Sequence, residues 1–366
     1  MKEFPFEVLD FIQKHQKDDV ASLALRKFQF GGFDRIKILQ QITGLQIGKK
    51  KFPSLLAYPQ YKFPPRKSLE QASSEFLAKF KSDLVEGTSF ADLTGGMGID
   101  TIFMSKNFSK GFYVEKDESL ARLAAWNFQQ LGIDKIEIGN LSAEKFLKGH
   151  DGTFDWVYLD PSRRTDQGRV IAMEQYSPNI IEIWDLIQSR SKKCMVKFSP
   201  MQDLHEIRDK LSGLESILIL CQGNEVKEVV GIFGAEELEK PTLEIWDIRE
   251  TEQKKIWTSQ TFGRKVSASN GSPLQYLYEP HAGVLKASCQ DEVAKAFGLE
   301  KLHPQSNFFT SIELLKKYPG RVFEFKGYLK DNKDSPREMH VISRNHPLKA
   351  DQIKKKFQLV EKGQEY

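Results

Sequence analysis

Two acids, three glycines and an asparagine, spaced along residues 89–140, could together hold a small cation that carries a nucleoside. The stretch SFADLTGGMGIDT reads as an apolar strand ending at Asp92, a glycine-rich turn, and a helix opening near Ile99. Gly95, Gly96 and Gly98 allow tight backbone geometry and close approach of a ligand. A dinucleotide loop would place a further glycine after Gly98, but Asp100 and Thr101 stand there. Asp92 would repel a pyrophosphate and attract an amino group. The next strand ends at Glu115, where a carboxylate can accept both ribose hydroxyls, and Asn140 follows the third strand, suited to an adenine edge. This set describes S-adenosylmethionine better than a nicotinamide dinucleotide. It also fits a purely structural turn with surface acids, or a loop for a different nucleotide.

The elements that would position these groups alternate along residues 86–240. Strands are expected at Ser89–Leu93, Gly111–Glu115, Lys135–Ile138, Trp156–Leu159, Cys194–Phe198, Ser216–Leu220 and Val226–Ile232, with helices between most of them. The pattern predicts an α/β, doubly wound Rossmann-like sheet whose ligand chemistry lies at the strands' C-terminal ends. The last two strands should form an antiparallel hairpin at one sheet edge. Residues 1–85 read as a helical N-terminal region, with KKKFPSLLAYPQYKFPPRKS as an irregular, substrate-exposed connection. LEIWDI and KKIWTSQ suggest a hairpin, AGVLKASCQDEVAKAFG a helical run, MHVISRN a last strand, and PLKADQIKKKFQ a basic amphipathic helix.

Composition narrows the classes. The 366 residues are 40% hydrophobic and 28% charged, which suits a folded protein and excludes collagen-like or wholly disordered chains. Three cysteines cannot build a disulfide scaffold, and neither they nor His281 and His303 show metal-site spacing. The chain has no 18-residue apolar run and opens on an acid-bearing MKEFPFEVLDFIQKHQKDD, so no membrane and a reduced cytoplasm are the expectation. The net charge of +4 is small but unevenly placed: residues 1–85 and 301–366 each carry +6, and residues 86–240 carry −7. Basic ends could grip a polyanion while chemistry proceeds in the centre, or each lysine run could be a solvated face.

The motifs carry a resemblance. DLTGGMGID, YVEKD and YLDPSRR, with YLYEPHAGVLKA, LHPQSNFFTS, GRVFEF and ISRNHPL further on, resemble a family of class I S-adenosylmethionine-dependent methyltransferases that adds ferredoxin-like and THUMP-like C-terminal domains. The resemblance spans essentially the whole chain and is least specific in the helical N-terminus. It implies S-adenosyl-L-methionine as cofactor and divides the chain into a helical region (1–85), a methyltransferase domain (86–240), a linker hairpin with a ferredoxin-like domain (241–320) and a THUMP-like domain (321–366). By the same likeness a closing strand should follow GQEY, so the last domain is expected to be trimmed. THUMP-like domains imply RNA by analogy.

The catalytic edge is expected after the fourth strand, at Asp160-Pro161-Ser162-Arg163-Arg164. Methylases of exocyclic or amide nitrogens often have a second proline and an aromatic where Ser162 and Arg163 stand. Arg163 and Arg164 instead suit bidentate contact with phosphate or carboxylate, or pairing with Asp166 or Glu174. Asp160 is the candidate base; it also suits a loop cap. Asp160, Lys197 and Glu228 fall in an order similar to that of ribose 2′-O methyltransferases, whose further lysine would be Lys79 or Lys81; Lys197 could equally just reach solvent. Cys194 and Cys221 read as buried small hydrophobes rather than nucleophiles. Lys354, Lys355 and Lys356 are candidate phosphate contacts. The leading expectation is methyl transfer to RNA; the alternatives are a small-molecule or protein acceptor, and a non-catalytic RNA-binding or scaffold protein that keeps the fold.

Overall fold

Capping residues decide where the first helices begin. After α1 (Phe6–Lys14), Asp19 accepts the Ser22 amide at the head of α2 (Val20–Leu25), and Asp34 accepts that of Ile36 at the head of α3 (Arg35–Lys51). Their apolar faces close on Phe4, Val8, Ile12, Leu23, Ile38 and Ile42. Two shorter helices follow, α4 (Arg66–Gln71) and α5 (Glu75–Ser82), the latter capped by Ser74. The computed structural model describes residues 1–162, 164–165, 168–169, 172–236, 238–259, 271–328, 337–343, 347–363 and 366, and only the backbone of 164–165 and 168–169.

The proline-rich connection is packed rather than open. Phe52, Leu55, Tyr61 and Phe63 are buried, and Lys62 runs between the Trp126 ring, 4.0 Å from its ammonium, and the Phe4 ring at 4.8 Å. Gly44 makes this possible: a Cβ there would lie 2.2 Å from the Phe63 ring. The expectation of an exposed segment holds for Tyr58, Pro59 and residues 65–67 but fails for Phe52, Leu55, Tyr61 and Phe63, which find a core.

Alternation of strands and helices then builds the central layer. In chain order it comprises β1 (Gly87–Asp92), α6 (Ile99–Met104), β2 (Phe108–Val114), α7 (Glu118–Gln130), β3 (Ile136–Gly139), α8 (Ala143–Gly149), β4 (Phe154–Leu159), a two-residue ribbon of β5 (Arg164–Thr165) and β6 (Gly168–Arg169), α9 (Ile180–Ser189), β7 (Ser191–Phe198), α10 (Leu204–Lys210), β8 (Leu214–Cys221) and β9 (Val226–Gly234). With β10 (Thr242–Ile248) and β11 (Gln253–Ser259) the strands form a nine-stranded sheet in the order β11-β10-β8-β9-β7-β4-β1-β2-β3. The pairs β1–β2, β2–β3, β1–β4 and β4–β7 are parallel, and β9 runs antiparallel to β7. Chain direction across the sheet reverses between β1 and β4, which opens a crevice beyond their C-terminal ends. The β8–β9 pair is therefore present, but not at the edge, because β10 lies beside β8.

The chain divides into two compact units, one of residues 1–223, 227–242 and 246–254, the other of 224–226, 243–245 and 255–366. In the second, β12 (Tyr276–Pro280), β13 (Glu300–Lys301), β14 (Phe309–Ser311) and β15 (Gly320–Glu324) form an antiparallel sheet ordered β13-β14-β12-β15. The expected single helical run is two helices, α11 (Ala282–Lys286) and α12 (Gln290–Ala296), because Ser288 takes a left-handed backbone at φ 53°. MHVISRN forms no strand over its described residues; just before it, Glu338 makes a bridge to Val360. The basic helix is present as α13 (Ala350–Phe357).

Candidate functional site

The glycine loop joins β1 to α6, and backbone hydrogen bonds hold it shut. Gly95 donates to Val114 O at 2.9 Å, and Gly98 to Gly95 O at 2.7 Å. Gly96 and Gly98 sit at φ +52° and +82°, where a side chain would be strained. Gly95 is required by crowding instead: a Cβ would fall 2.1 Å from the Tyr113 ring, whose hydroxyl donates to Gly96 O at 2.6 Å. The two acids brace the loop from either side. Asp92 Oδ2 accepts from Thr101 Oγ1 at 2.6 Å and Oδ1 from Thr94 N at 3.0 Å, while Glu115 accepts from Gly96 N at 2.9 Å and Asp117 N at 2.8 Å. Asn140 Nδ2 donates to the carbonyls of Glu115 and Lys116, so it steadies the Glu115 turn.

Burial pushes the Asp92 carboxyl up to about 7, against the pull of its Thr101 and Thr94 hydrogen bonds. Asp92 is thus a group that titrates near neutrality, at the point where the sequence called for a partner to an amino group.

Beside the loop lies a cluster of charges. Asp160 follows β4 and donates its backbone N–H to Thr94 Oγ1 at 2.6 Å, which ties it to the glycine loop. Its carboxylate pairs with the Lys197 ammonium from the end of β7. Glu228, on β9, lies 3.9 Å from Lys197 and 2.9 Å from Lys81 of α5. Lys81 is fully buried; it pairs with Asp100 of α6 at 2.8 Å and donates to Ser73 Oγ at 2.8 Å and Tyr158 Oη at 3.2 Å. Ser73 Oγ and Tyr158 Oη in turn donate to Asp100, at 3.0 and 2.9 Å. Only the Asp160 end of this network reaches water, its side chain 31% exposed against 10% for Lys197 and 4% for Glu228.

The electrostatics follow from the packing. Burial works against the Lys197 ammonium, but Asp160, Glu228 and Asp100 together hold its pKa above the ordinary lysine value. Desolvation raises Asp160 and prevails over Lys197. Burial would also raise Asp100, yet the charges of Lys81 and Lys197 bring it below the usual carboxylate value. Lys51, whose ammonium donates to the carbonyls of Leu69 and Glu70, is lowered to about 8 by burial and by the charge of Lys197.

The structure thus gathers Asp92, Gly95, Gly96, Gly98, Glu115 and Asn140 around one loop, and Asp160, Lys197 and Glu228 in one cluster beside it. Of the two lysines suggested before the first strand, Lys81 joins the cluster and Lys79 is exposed, as their two-residue spacing on a helix requires. Arg163 and the side chain of Arg164 lie outside the described residues. In α13, Lys354 pairs with Asp351 at 2.8 Å and Glu361 at 3.1 Å, which leaves Lys355 and Lys356 as its exposed cations. Asp100, Ser73 and Tyr158 were missed. Tyr158 stands two residues before Asp160, a same-face spacing in a strand that could have flagged it; Ser73 carries no local signal. Among the described residues no group of His, Cys, Asp and Glu could hold a metal ion, and no helix is long and apolar enough to cross a membrane.

Comparison with known proteins agrees with this architecture. A family profile described as a ferredoxin-like domain matches residues 276–319. A crystal structure from Porphyromonas gingivalis W83, provisionally assigned as a methyltransferase, is similar over 99% of this chain and 94% of its own, with 24% identity and a TM-score of 0.81. A tRNA/tmRNA (uracil-C(5))-methyltransferase of Acinetobacter baumannii (strain ACICU) is 27% identical over 126 residues, which cover 29% of this chain and 35% of that enzyme. The match therefore spans about a third of the curated relative's length. The chain has the fold of a class I S-adenosylmethionine-dependent methyltransferase, joined to a C-terminal ferredoxin-like domain.

Proposed function

We propose that the protein transfers a methyl group from S-adenosylmethionine to RNA. The observation that carries this reading is the hydrogen bond from Asp160 N to Thr94 Oγ1, which fastens a lysine–carboxylate cluster to the glycine loop at the C-terminal ends of β1 and β4. The residues fit the cofactor. Two glycines of the loop have left-handed backbones, Glu115 keeps further lone pairs on its oxygens for ribose hydroxyls, and Asp92 can ionise to meet an ammonium. When bound, the cofactor supplies an electrophilic methyl carbon on a sulfonium. The chain's own part is to orient the acceptor and accept its proton, and Asp160 is the group at the lip that can do both.

RNA as acceptor draws support from the +6 charge of residues 301–366, from the THUMP-like resemblance of residues 321–366, and from the named activity of the Acinetobacter relative. Uracil-C5 chemistry itself is not carried over. Attack on a pyrimidine carbon needs a thiolate, yet all three cysteines are buried, and burial pushes the thiol of Cys194 up and that of Cys289 up to about 12. The reading keeps the protein in the cytoplasm, where its buried thiols stay reduced.

The test is transfer of labelled methyl from S-adenosylmethionine to RNA isolated from cells that lack the gene, beside RNA from cells that have it. Label entering one RNA species only in the first sample supports the proposal. Equal or absent labelling of both, by protein that binds the cofactor, refutes an RNA substrate.

A further inference from the structure

Building on the reading of this site as an RNA methyltransferase, we infer that the acceptor atom is a ribose 2′-hydroxyl, held at the Asp160–Lys197 pair, with Lys81 as a positioning residue. Three acceptor chemistries compete. A ring carbon needs a thiolate, and no cysteine lies in the cluster. An exocyclic nitrogen needs acceptors for its N–H groups and a ring to stack its base, but Asp160 is followed by Pro161-Ser162-Arg163, with no aromatic among them. A hydroxyl makes other demands: a carboxylate for its proton, and a fixed cation beside the oxygen as negative charge gathers there.

The cluster meets both. Asp160 is its solvent-reaching member, and Lys197 lies directly behind it. Lys197 is held as an ammonium by carboxylates on two sides, Asp160 and Glu228, so it stabilises an oxyanion rather than removing a proton. Desolvation raises the Asp160 carboxyl above its ordinary value, which favours its taking up a proton, and Asp160 is the carboxylate of the cluster that reaches solvent. It takes the hydroxyl proton as the new O–C bond replaces the donor's S–C bond, whose electron pair stays on sulfur, and then releases the proton to water. Lys81 is sealed from the reactants. It balances Glu228 and Asp100, and so fixes the carboxylate that aims Lys197.

Two readouts test this. The RNA that takes up label is hydrolysed in acid to separate base from sugar, and the label should remain with ribose. That RNA and a copy carrying a single 2′-deoxynucleotide at the labelled position are then titrated against protein loaded with S-adenosylhomocysteine. A hydrogen bond to a charged group predicts about tenfold weaker binding of the deoxy copy. Lys197→Met should erase that difference and Lys197→Arg should restore part of it, while both still bind S-adenosylhomocysteine, which shows them folded. Lys81→Met should narrow the difference with cofactor affinity kept. Label on the base, or a deoxy copy bound as tightly as the parent RNA, overturns the hydroxyl assignment and leaves methyl transfer to RNA standing. No label in any RNA, by protein that binds the cofactor, overturns the RNA reading and this inference with it.

Discussion

The ammonium of Lys81, in a helix that precedes the sheet, lies 2.9 Å from Glu228 Oε2, near the far end of the same compact unit. Neither side chain is more than 4% exposed. Each charge is tolerable only because the other is present, with Asp100 completing the balance.

Removing one partner should therefore be costly. Lys81→Met removes the ammonium that contacts both Glu228 and Asp100, leaves them only the more distant Lys197, and should destabilise the fold by about 3–5 kcal/mol. Arg122→Ala, which breaks an exposed pair with Glu118, should cost no more than about 0.5 kcal/mol. Urea unfolding of the two variants checks the contrast. Equal midpoints would show the buried pair to be energetically idle.

Asp92 should make stability depend on pH. Its carboxyl rises from 3.8 to about 7 on folding, so between those values the native state keeps a proton that the unfolded chain releases. This contribution is complete below about pH 4, declines as pH rises to about 7, and is constant above. Asp92→Asn keeps acceptor geometry without the charge, and the variant should gain on the parent across that window. Denaturant unfolding from pH 5 to 8 measures it; parallel parent and variant curves would contradict the burial of this group. In calorimetric titration, cofactor affinity should strengthen in the parent as pH rises through 7 and stay flat in the variant.

Gly95→Ala tests the loop by crowding alone. The new methyl would fall within 2.1 Å of the Tyr113 ring, so strand or loop must shift, at about 1–3 kcal/mol. Calorimetry should show cofactor binding weakened at least as much as folding. Affinity retained in a destabilised variant would detach the loop from the cofactor site.

The basic helix should act through two lysines, not three. Lys354 already pairs with Asp351 and Glu361, whereas Lys355 and Lys356 are exposed. Reversing the charge of Lys355 and Lys356 together should flatten the dependence of log affinity for RNA on log salt by about 1.4–1.8. Reversing Lys354 alone should change it little. Dissociation constants measured across a salt series decide, and superimposable lines for parent and double variant would make this helix a solvated face.

What could be read in advance was whatever lies close together along the chain. The glycine loop, the acid at the end of β2 and Asp160 after β4 each sit beside the turn they serve, and local spacing placed them. The cluster was only half legible, because Ser73, Lys81, Asp100, Lys197 and Glu228 meet through the order of β9, β7, β4 and β1, which no short window records. The proline-rich segment misled for a related reason. Its prolines are visible locally, but the space that Gly44 leaves for Phe63 belongs to another helix. MHVISRN alternates like a strand, yet pairing needs a neighbour, and among the described residues the bridge to Val360 is made by Glu338, just before the segment.

The burial of Lys81 also has a consequence for biosynthesis. On the ribosome α5 emerges early, while Glu228 is among the last residues of its unit to be made. Until β9 arrives, an interior site for Lys81 would hold an ion lacking one of its counter-charges, and desolvating it would be unfavourable. The nascent N-terminal segment should therefore keep α5 loosely docked and wet, and lock it only when β9 is added to the sheet. Sealing of the site would then be among the last events in the folding of this unit, a point at which a growing chain becomes a competent one.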